Sequence, residues 1–235
     1  MRVRMMRRAM LLLAATAMIL VALTACGGGS AQEQAKPRIL PEDEKALRPG
    51  EYRSEEFEPS LSFRVGKGWS NVPPEAPDVL HIERRAGWLA FTNVQQVFKP
   101  GTQGQRVEAP KDMVGWFQHH PYLQTSKPEP ISVGGVKGVQ FDVVVKDLPK
   151  DYWGVCGSDC VDLFETGNDY NYALWSREEG EHPAEKQRVI VLEGVKGETV
   201  TIIYTSPVPE FDELAPEAQS VLDSVKWRGS FPALG

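Results

Sequence analysis

Short runs of alternating apolar residues, separated by glycine and proline turns, fill this chain from about residue 50 to residue 205 and constrain its fold more than any other feature. The clearest case is residues 131–133, followed by Gly134-Gly135 and then residues 136–145. Two glycines between two β-prone runs indicate a tight hairpin, because such turns need positive φ angles. Strands joined by tight turns pair antiparallel. The sequence therefore predicts a domain built mainly from antiparallel sheet.

The same pattern predicts further strands. They lie at residues 52–57, 61–65, 79–84, 88–98, 161–164, 170–177, 187–193 and 199–205. Two helices are predicted from apolar residues at helical spacing. The first covers residues 111–119, and the second covers residues 210–227, with its regular part expected to begin at Pro216. Proline is tolerated in the first turn of a helix and not in its interior.

Strands in hairpins, with one helix in mid-chain and one at the end, predict an α+β fold in which helices pack on an antiparallel sheet. Trp69, Trp116 and Trp227 lie in the most apolar elements and are predicted to be core residues. Residues 62–69 (SFRVGKGW), residues 131–135 (ISVGG) and the closing segment 199–227 resemble the PsbP-like family. That family comprises photosystem II extrinsic proteins and bacterial lipoproteins of the DcrB kind.

This resemblance covers roughly residues 60–228 in the order of the elements. It implies an α/β/α sandwich and a non-enzymatic, accessory character, and it carries no active-site residues to transfer. The stretch from residue 146 to residue 168 departs from the family pattern.

The N-terminus has the pattern of an export signal. Four arginines within the first eight residues precede an apolar run at residues 9–23, which is about fifteen residues long. A membrane-spanning helix needs about twenty, so a cleaved signal is favoured over a transmembrane anchor. The ending Leu23-Thr24-Ala25-Cys26 is similar to the lipobox of bacterial lipoproteins. The resemblance implies cleavage before Cys26 and a diacylglycerol on its sulfur.

This interpretation divides the chain into a signal peptide at residues 1–25, a lipidated Cys26 with a flexible tether to residue 49, one domain at residues 50–229, and a short tail at residues 230–235. Some helix or strand around residues 42–47 is the alternative to a fully flexible tether. Because Gly27 and not Asp follows the cysteine, we expect an anchor on the outer face of the cytoplasmic membrane.

The charge of the mature chain narrows the class of partner. Cleavage removes four arginines and no acid, so 22 Lys and Arg remain against 32 Asp and Glu, a formal charge of −10. Such a surface repels phosphate backbones and anionic lipid headgroups. Nucleic acid is therefore not expected as a partner, and membrane contact is expected through acyl chains alone.

The two remaining cysteines, Cys156 and Cys160, enclose a short polar segment, Gly-Ser-Asp. In an exported protein this pattern most simply predicts a disulfide that closes a small loop. A redox-active dithiol would more typically have the Cys-x-x-Cys spacing, and a zinc site would need a second pair of ligands.

Two other clusters could hold a metal ion. His119 and His120 follow the first predicted helix, with His81 and His182 as further possible ligands. A second cluster in one loop-rich region comprises Asp159, Asp162, Glu165 and Asp169, with Asn168 beside them. Adjacent helical residues point about 100° apart, and the acidic spacing fits no EF-hand. We interpret the histidines as helix-end residues and the acids as surface charges, and we predict no metal and no cofactor.

The preferred binding surface is an aromatic concentration around the cysteine loop, formed by Tyr152, Trp153, Tyr170 and Tyr172, with Trp175 beside them. Aromatic residues on loops can line a groove for a sugar, a peptide or a protein. Part of this set could instead belong to the core. Because no catalytic motif is present, we expect a non-enzymatic module that binds a protein or envelope component. The alternatives are a small-molecule or metal-binding lipoprotein that serves a transporter and, less favoured, a hydrolase.

Overall fold

The computed structural model describes residues 36–85, 87–146, 148–155, 157–167, 170–176 and 183–228. The strands in this part of the chain are β1 Arg38–Ile39, β2 Gly50–Arg53, β3 Leu61–Val65, β4 Ser70–Ala76, β5 Val79–Arg84, β6 Gly87–Thr92, β7 Gln96–Phe98, β8 Arg106–Glu108, β9 Leu123–Thr125, β10 Glu129–Val133, β11 Val136–Val145, β12 Cys160–Glu165, β13 Asn171–Trp175, β14 Glu185–Val195, β15 Glu198–Pro207 and β16 Lys226–Trp227. The helices are α1 Met113–Gln118 and α2 Phe211–Asp223, with a 3₁₀ turn at Val208–Glu210 before α2.

These strands form one large central sheet and two small outer sheets. The central sheet has the order β10-β11-β14-β15-β6-β5-β4, and β9 pairs with the far end of β11. The outer sheets have the orders β1-β2-β3-β16 and β13-β12-β7-β8. Neighbouring strands are antiparallel apart from the parallel pair β1 and β2. The prediction of a mainly antiparallel α+β domain is confirmed.

Alternation along the central strands sends side chains into two separate apolar cores, because successive strand residues point to opposite faces. On one face Leu80, Phe91 and Ile202 pack against α2 and the outer sheet that contains β3; we call this the α2 core. On the other face Phe141 and Ile203 pack against α1 and the outer sheet that contains β12; we call this the α1 core. Each face is thus covered by one helix together with one small sheet.

The C-terminal helix differs from its prediction in two ways. It begins at Phe211 and keeps Pro216 in its interior. Pro216 removes one backbone N–H, but it and Asp212, whose carbonyl loses that bond, lie on the exposed side of the helix where water can replace it. The helix ends at Asp223, and Trp227 instead pairs with Leu61 in the outer sheet, where its ring packs against the α2 core.

Two other predictions need correction. The predicted strand at residues 88–98 is two strands, β6 and β7, which belong to different sheets. The flexible tether was predicted to extend to residue 49, but residues 36–49 contain strand β1 and the buried side chains of Leu40 and Leu47. Of the tether, residues 26–35 lie outside the described residues, as do the signal peptide with Cys26 and the tail at residues 230–235. Within the described part of the chain, no helix is long and apolar enough to cross a bilayer.

Candidate aromatic binding site

The site begins at the β5–β6 hairpin, which places a histidine beside a tryptophan. In its register His81 pairs with Ala90 and Glu83 pairs with Trp88. His81 and Trp88 therefore project from the same face on neighbouring strands, and their ring centroids are 4.9 Å apart. This face is the one that carries the α1 core.

The edge of an outer sheet lies opposite this hairpin. Strand β13 is the terminal strand in the order β13-β12-β7-β8, and it carries Tyr172 and Trp175, with Tyr170 just before it. The ring of Tyr172 is buried, with its centroid 5.7 Å from that of Trp88 and stacked at 4.8 Å on Phe164. This edge strand thus brings three aromatic residues to the central sheet.

Two carboxylates complete the arrangement. Glu185 opens strand β14, and its Oε2 accepts a hydrogen bond from the backbone N–H of Trp175 at 3.3 Å. Asp162 on strand β12 is buried, and its Oδ2 accepts from the backbone N–H of Val155 at 2.6 Å. Gly154 lies against the same carboxylate, since a Cβ at that position would collide with Oδ2.

These elements enclose an open pocket of about 500 Å³, which we call the aromatic pocket. Its lining comprises the side chains or backbone of His81, Trp88, Val155, Asp162, Tyr170, Asn171, Tyr172, Ala173, Trp175 and Glu185. A volume of this order accommodates a small organic ligand.

The wall of the aromatic pocket contains polar atoms that make no hydrogen bond. Both ring nitrogens of His81 and the hydroxyl of Tyr172 are buried without a partner among the described residues. A buried polar group without a partner costs roughly 1–3 kcal/mol. Other buried atoms, such as Trp69 Nε1, also lack a partner among the described residues, so it is the position of His81 and Tyr172 beside an open pocket that makes them candidates for a ligand.

Burial also shifts the protonation of the pocket residues. It lowers the pKa of His81 to about 4, so the ring is neutral at pH 7. It raises the pKa of Glu185 to about 7, against the opposing effect of the Trp175 N–H. The pKa of Tyr172 is raised by burial and by the nearby Tyr170 and Asp78. Shifts of this size concentrate at functional sites, although structural groups also show them.

The predicted binding surface is divided by the structure. Tyr170 and Tyr172 line the aromatic pocket, whereas Tyr152 and Trp153 line a smaller hollow of about 210 Å³ together with Tyr122. Trp153 is 63% exposed, and Tyr152 packs edge-on against Tyr122 at 5.1 Å. Burial, with a contribution from Asp162, raises the pKa of Tyr152 to about 12. The alternative assignment of part of this set to the core holds for Tyr172, which also contributes to the α1 core.

Sequence analysis did not place His81, Trp88 or Glu185 at the binding surface, and it considered His81 only as a possible metal ligand. The short connection between the two predicted strands offered a signal for the first two, since a hairpin with Arg84 opposite Gly87 places residues 81 and 88 diagonally on one face. No local signal identified Glu185, because its significance depends on burial against β13.

The residues weighed as metal ligands have other contacts. The ring Nδ1 of His119 lies 2.7 Å from the carbonyl oxygen of Gly115 at the exposed end of α1. His120 is buried, and its Nδ1 accepts from the backbone N–H of Tyr122 at 3.3 Å. Glu165 forms an ion pair with Arg106. Within the residues that the structure describes, no group of three or more His, Cys, Asp or Glu side chains gathers as a metal site.

Of the two cysteines that enclose the predicted loop, the structure describes only Cys160. Cys160 is fully buried at the start of β12. Cys156, Asn168, Asp169 and His182 lie outside the described residues, so the disulfide between Cys156 and Cys160 stays a prediction.

No protein-family model matches this chain, and a search of curated proteins finds no match either. Among solved structures, the solution structure of cyanobacterial PsbP (CyanoP) from Synechocystis sp. PCC 6803 is similar to this chain with a TM-score of 0.40 and 11% sequence identity. The similarity covers 77% of this chain and 95% of that one. A similarity at this level concerns the fold alone.

Proposed function

We propose that this chain is a lipid-anchored extracytoplasmic lipoprotein whose domain is a non-enzymatic binding module, and that its ligand or partner group enters the aromatic pocket. The observation that carries the proposal is the pocket itself, where four aromatic residues surround buried polar groups that have no partner in the part of the chain that the structure describes. Aromatic walls with a few polar groups are the usual composition of a ligand site. We also propose that the domain has the PsbP-like α/β/α sandwich fold.

The anchoring half of the proposal rests on the N-terminal sequence. Cys26 would carry the acyl chains, and residues 27–35 with part of the following segment would separate the bilayer from the domain, which is packed from Arg38 onward. Metabolic labelling with an isotopic fatty acid tests it. We expect label on the wild-type chain and none on Cys26→Ser, which should remain uncut. An unmodified thiol on a chain that retains Met1 would contradict the anchor.

The binding half is tested in cells by crosslinking, followed by purification of the lipid-anchored form and identification of what is attached. Trp88→Leu should reduce capture because it removes one wall of the aromatic pocket. The double variant Tyr152→Ala/Trp153→Ala tests the exposed hollow separately. Equal capture by the wild type and both variants would show that neither surface binds.

An acid–base enzyme is a second candidate, and Glu185 is the observation that favours it. A carboxyl group with a pKa of about 7 in an open pocket suits proton transfer near neutral pH. If the protein is an enzyme, it should turn over a substrate, and Glu185→Gln should abolish this turnover without abolishing substrate binding. Binding without turnover would support a non-enzymatic binding module.

A further inference from the structure

The charged groups that line the aromatic pocket have one sign. Two carboxylates, Asp162 and Glu185, belong to the described lining, and no lysine or arginine does. An anionic ligand would be repelled from such a site, a neutral ligand could gain hydrogen bonds from the carboxylates, and a cation would gain both hydrogen bonds and charge attraction. The charge of the lining therefore favours a cation.

The aromatic walls of the pocket are a second feature that attracts cations. Trp88, Tyr170, Tyr172 and Trp175 contribute aromatic side chains to the pocket. The face of an aromatic ring attracts cations, most strongly for tryptophan, and the attraction increases where water is excluded. Such rings also bury the apolar body that carries a charged group.

A third and independent observation concerns hydrogen bonding. The two ring nitrogens of His81 and the hydroxyl oxygen of Tyr172 are buried at the pocket wall without a partner among the described residues, and Tyr172 is only 4% exposed. Because His81 is neutral, one of its nitrogens keeps a lone pair and the ring does not repel a cation. The structure therefore keeps buried acceptors without a partner among the described residues next to the pocket.

We infer that the aromatic pocket binds a protonated primary or secondary amine carried on an apolar or aromatic body. The inference rests on the proposed binding function and specifies its ligand class. The ammonium group would form charge-assisted hydrogen bonds with Glu185 and Asp162, which are stronger than neutral ones, while the rings of Trp88 and Tyr172 cover its apolar part.

The protonation of the pocket predicts how the affinity depends on pH. The titratable groups that line it are His81 from β5, Asp162 from β12, Tyr170 and Tyr172 from the β13 edge, and Glu185 from β14. Glu185 becomes ionised as the pH rises through about 7, and the bound ammonium favours that ionised form. Affinity for an amine should therefore rise between about pH 6 and pH 8.

Three probes of similar shape and different charge test the inference on the full-length chain, purified in detergent. They are benzylamine, which is protonated at neutral pH, benzyl alcohol, which is neutral, and benzoate, which is anionic. Binding is measured by titration calorimetry and by the change in intrinsic tryptophan fluorescence, to which Trp88 and Trp175 at the pocket contribute. We expect benzylamine to bind at least about tenfold more tightly than benzyl alcohol at pH 8, and benzoate to show no saturation.

The variant Glu185→Gln assigns the effect to the pocket. It should weaken benzylamine binding by about tenfold or more and remove its pH dependence, while binding of benzyl alcohol changes little. Glu193→Gln is the matched control, because Glu193 is an exposed acid on the same strand; it should leave all three titrations unchanged. The wild-type probe series stands by itself if the variant does not fold.

The outcomes separate this inference from the function on which it rests. If benzyl alcohol or benzoate binds as tightly as benzylamine, and Trp88→Leu abolishes that binding, the pocket is a ligand site but the amine assignment is wrong. If no probe gives a saturable signal with the wild type, the amine assignment falls, and the proposed binding function loses its main support.

Discussion

Replacing Glu185 with glutamine should stabilise the protein, and by an amount that depends on pH. Glu185 is largely buried at the aromatic pocket, and its side chain accepts one hydrogen bond from the Trp175 N–H. Glutamine has nearly the same shape, keeps a carbonyl oxygen for that bond and carries no charge. The substitution therefore removes the cost of a buried negative charge without removing its contact.

The magnitude follows from the difference in pKa between the two states. The pKa of the carboxyl is 4.5 without the fold and about 7 within it, so the folded state binds the proton more tightly. As the pH rises from about 4.5 to about 7, the wild type progressively loses stability, and above that range the loss is constant. Each pKa unit corresponds to about 1.4 kcal/mol, so the full loss is about 3 kcal/mol.

Urea unfolding at a series of pH values measures this effect. At about pH 4.5 the Glu185→Gln variant and the wild type should have equal unfolding free energies, and by about pH 8.5 the variant should be more stable by about 3 kcal/mol. The other ionisable residues are the same in both proteins, so we expect their contributions to cancel in the difference. The exposed control Glu193→Gln should stay within about 0.5 kcal/mol of the wild type throughout.

Two results would refute this reasoning. A difference between variant and wild type that does not change with pH would mean that Glu185 does not ionise in the folded protein with a raised pKa. A variant that is less stable than the wild type at alkaline pH would mean that the negative charge has a favourable partner. In either case the electrostatic account of the aromatic pocket would need replacement.

Three further outcomes are expected. Burial lowers the pKa of His81 to about 4, so the stability that its neutral ring contributes is complete above about pH 6.5 and is lost as the pH falls toward 4. His81→Gln should therefore weaken the fall in unfolding free energy between about pH 6.5 and pH 4. The control His119→Gln, at an exposed residue, should not change it. Asp112→Ala removes the cap at the start of α1, where the carboxylate accepts a backbone N–H at 2.7 Å, and should cost about 1 kcal/mol in urea unfolding. Peptide mapping without reductant should recover Cys156 and Cys160 in one linked species, and two separately alkylated thiols would contradict the disulfide.

Local patterns predicted the strands well where turn chemistry defined their ends. Residues 61–65, 79–84 and 136–145 are strands with the predicted bounds. Prediction failed where the outcome depended on distant partners. The apolar residues of 88–98 suit any sheet, and only long-range pairing decides that β6 joins the central sheet and β7 an outer one.

The candidate site shows the same limit. An aromatic concentration near the cysteine loop was visible in the sequence, and Tyr170 and Tyr172 do line the aromatic pocket. Its other walls come from β5, β6 and β14, which are far away along the chain. The raised pKa of Glu185 arises from burial by those elements, and no property of its sequence neighbours could indicate it.

The separation of the two apolar cores has a consequence for how this domain could diversify. The aromatic pocket adjoins the α1 core, while the α2 core holds the longer helix on the opposite face. Substitutions that reshape the pocket therefore leave one complete hydrophobic layer untouched. In this architecture one side of the central sheet can retain the fold while the other acquires new specificity.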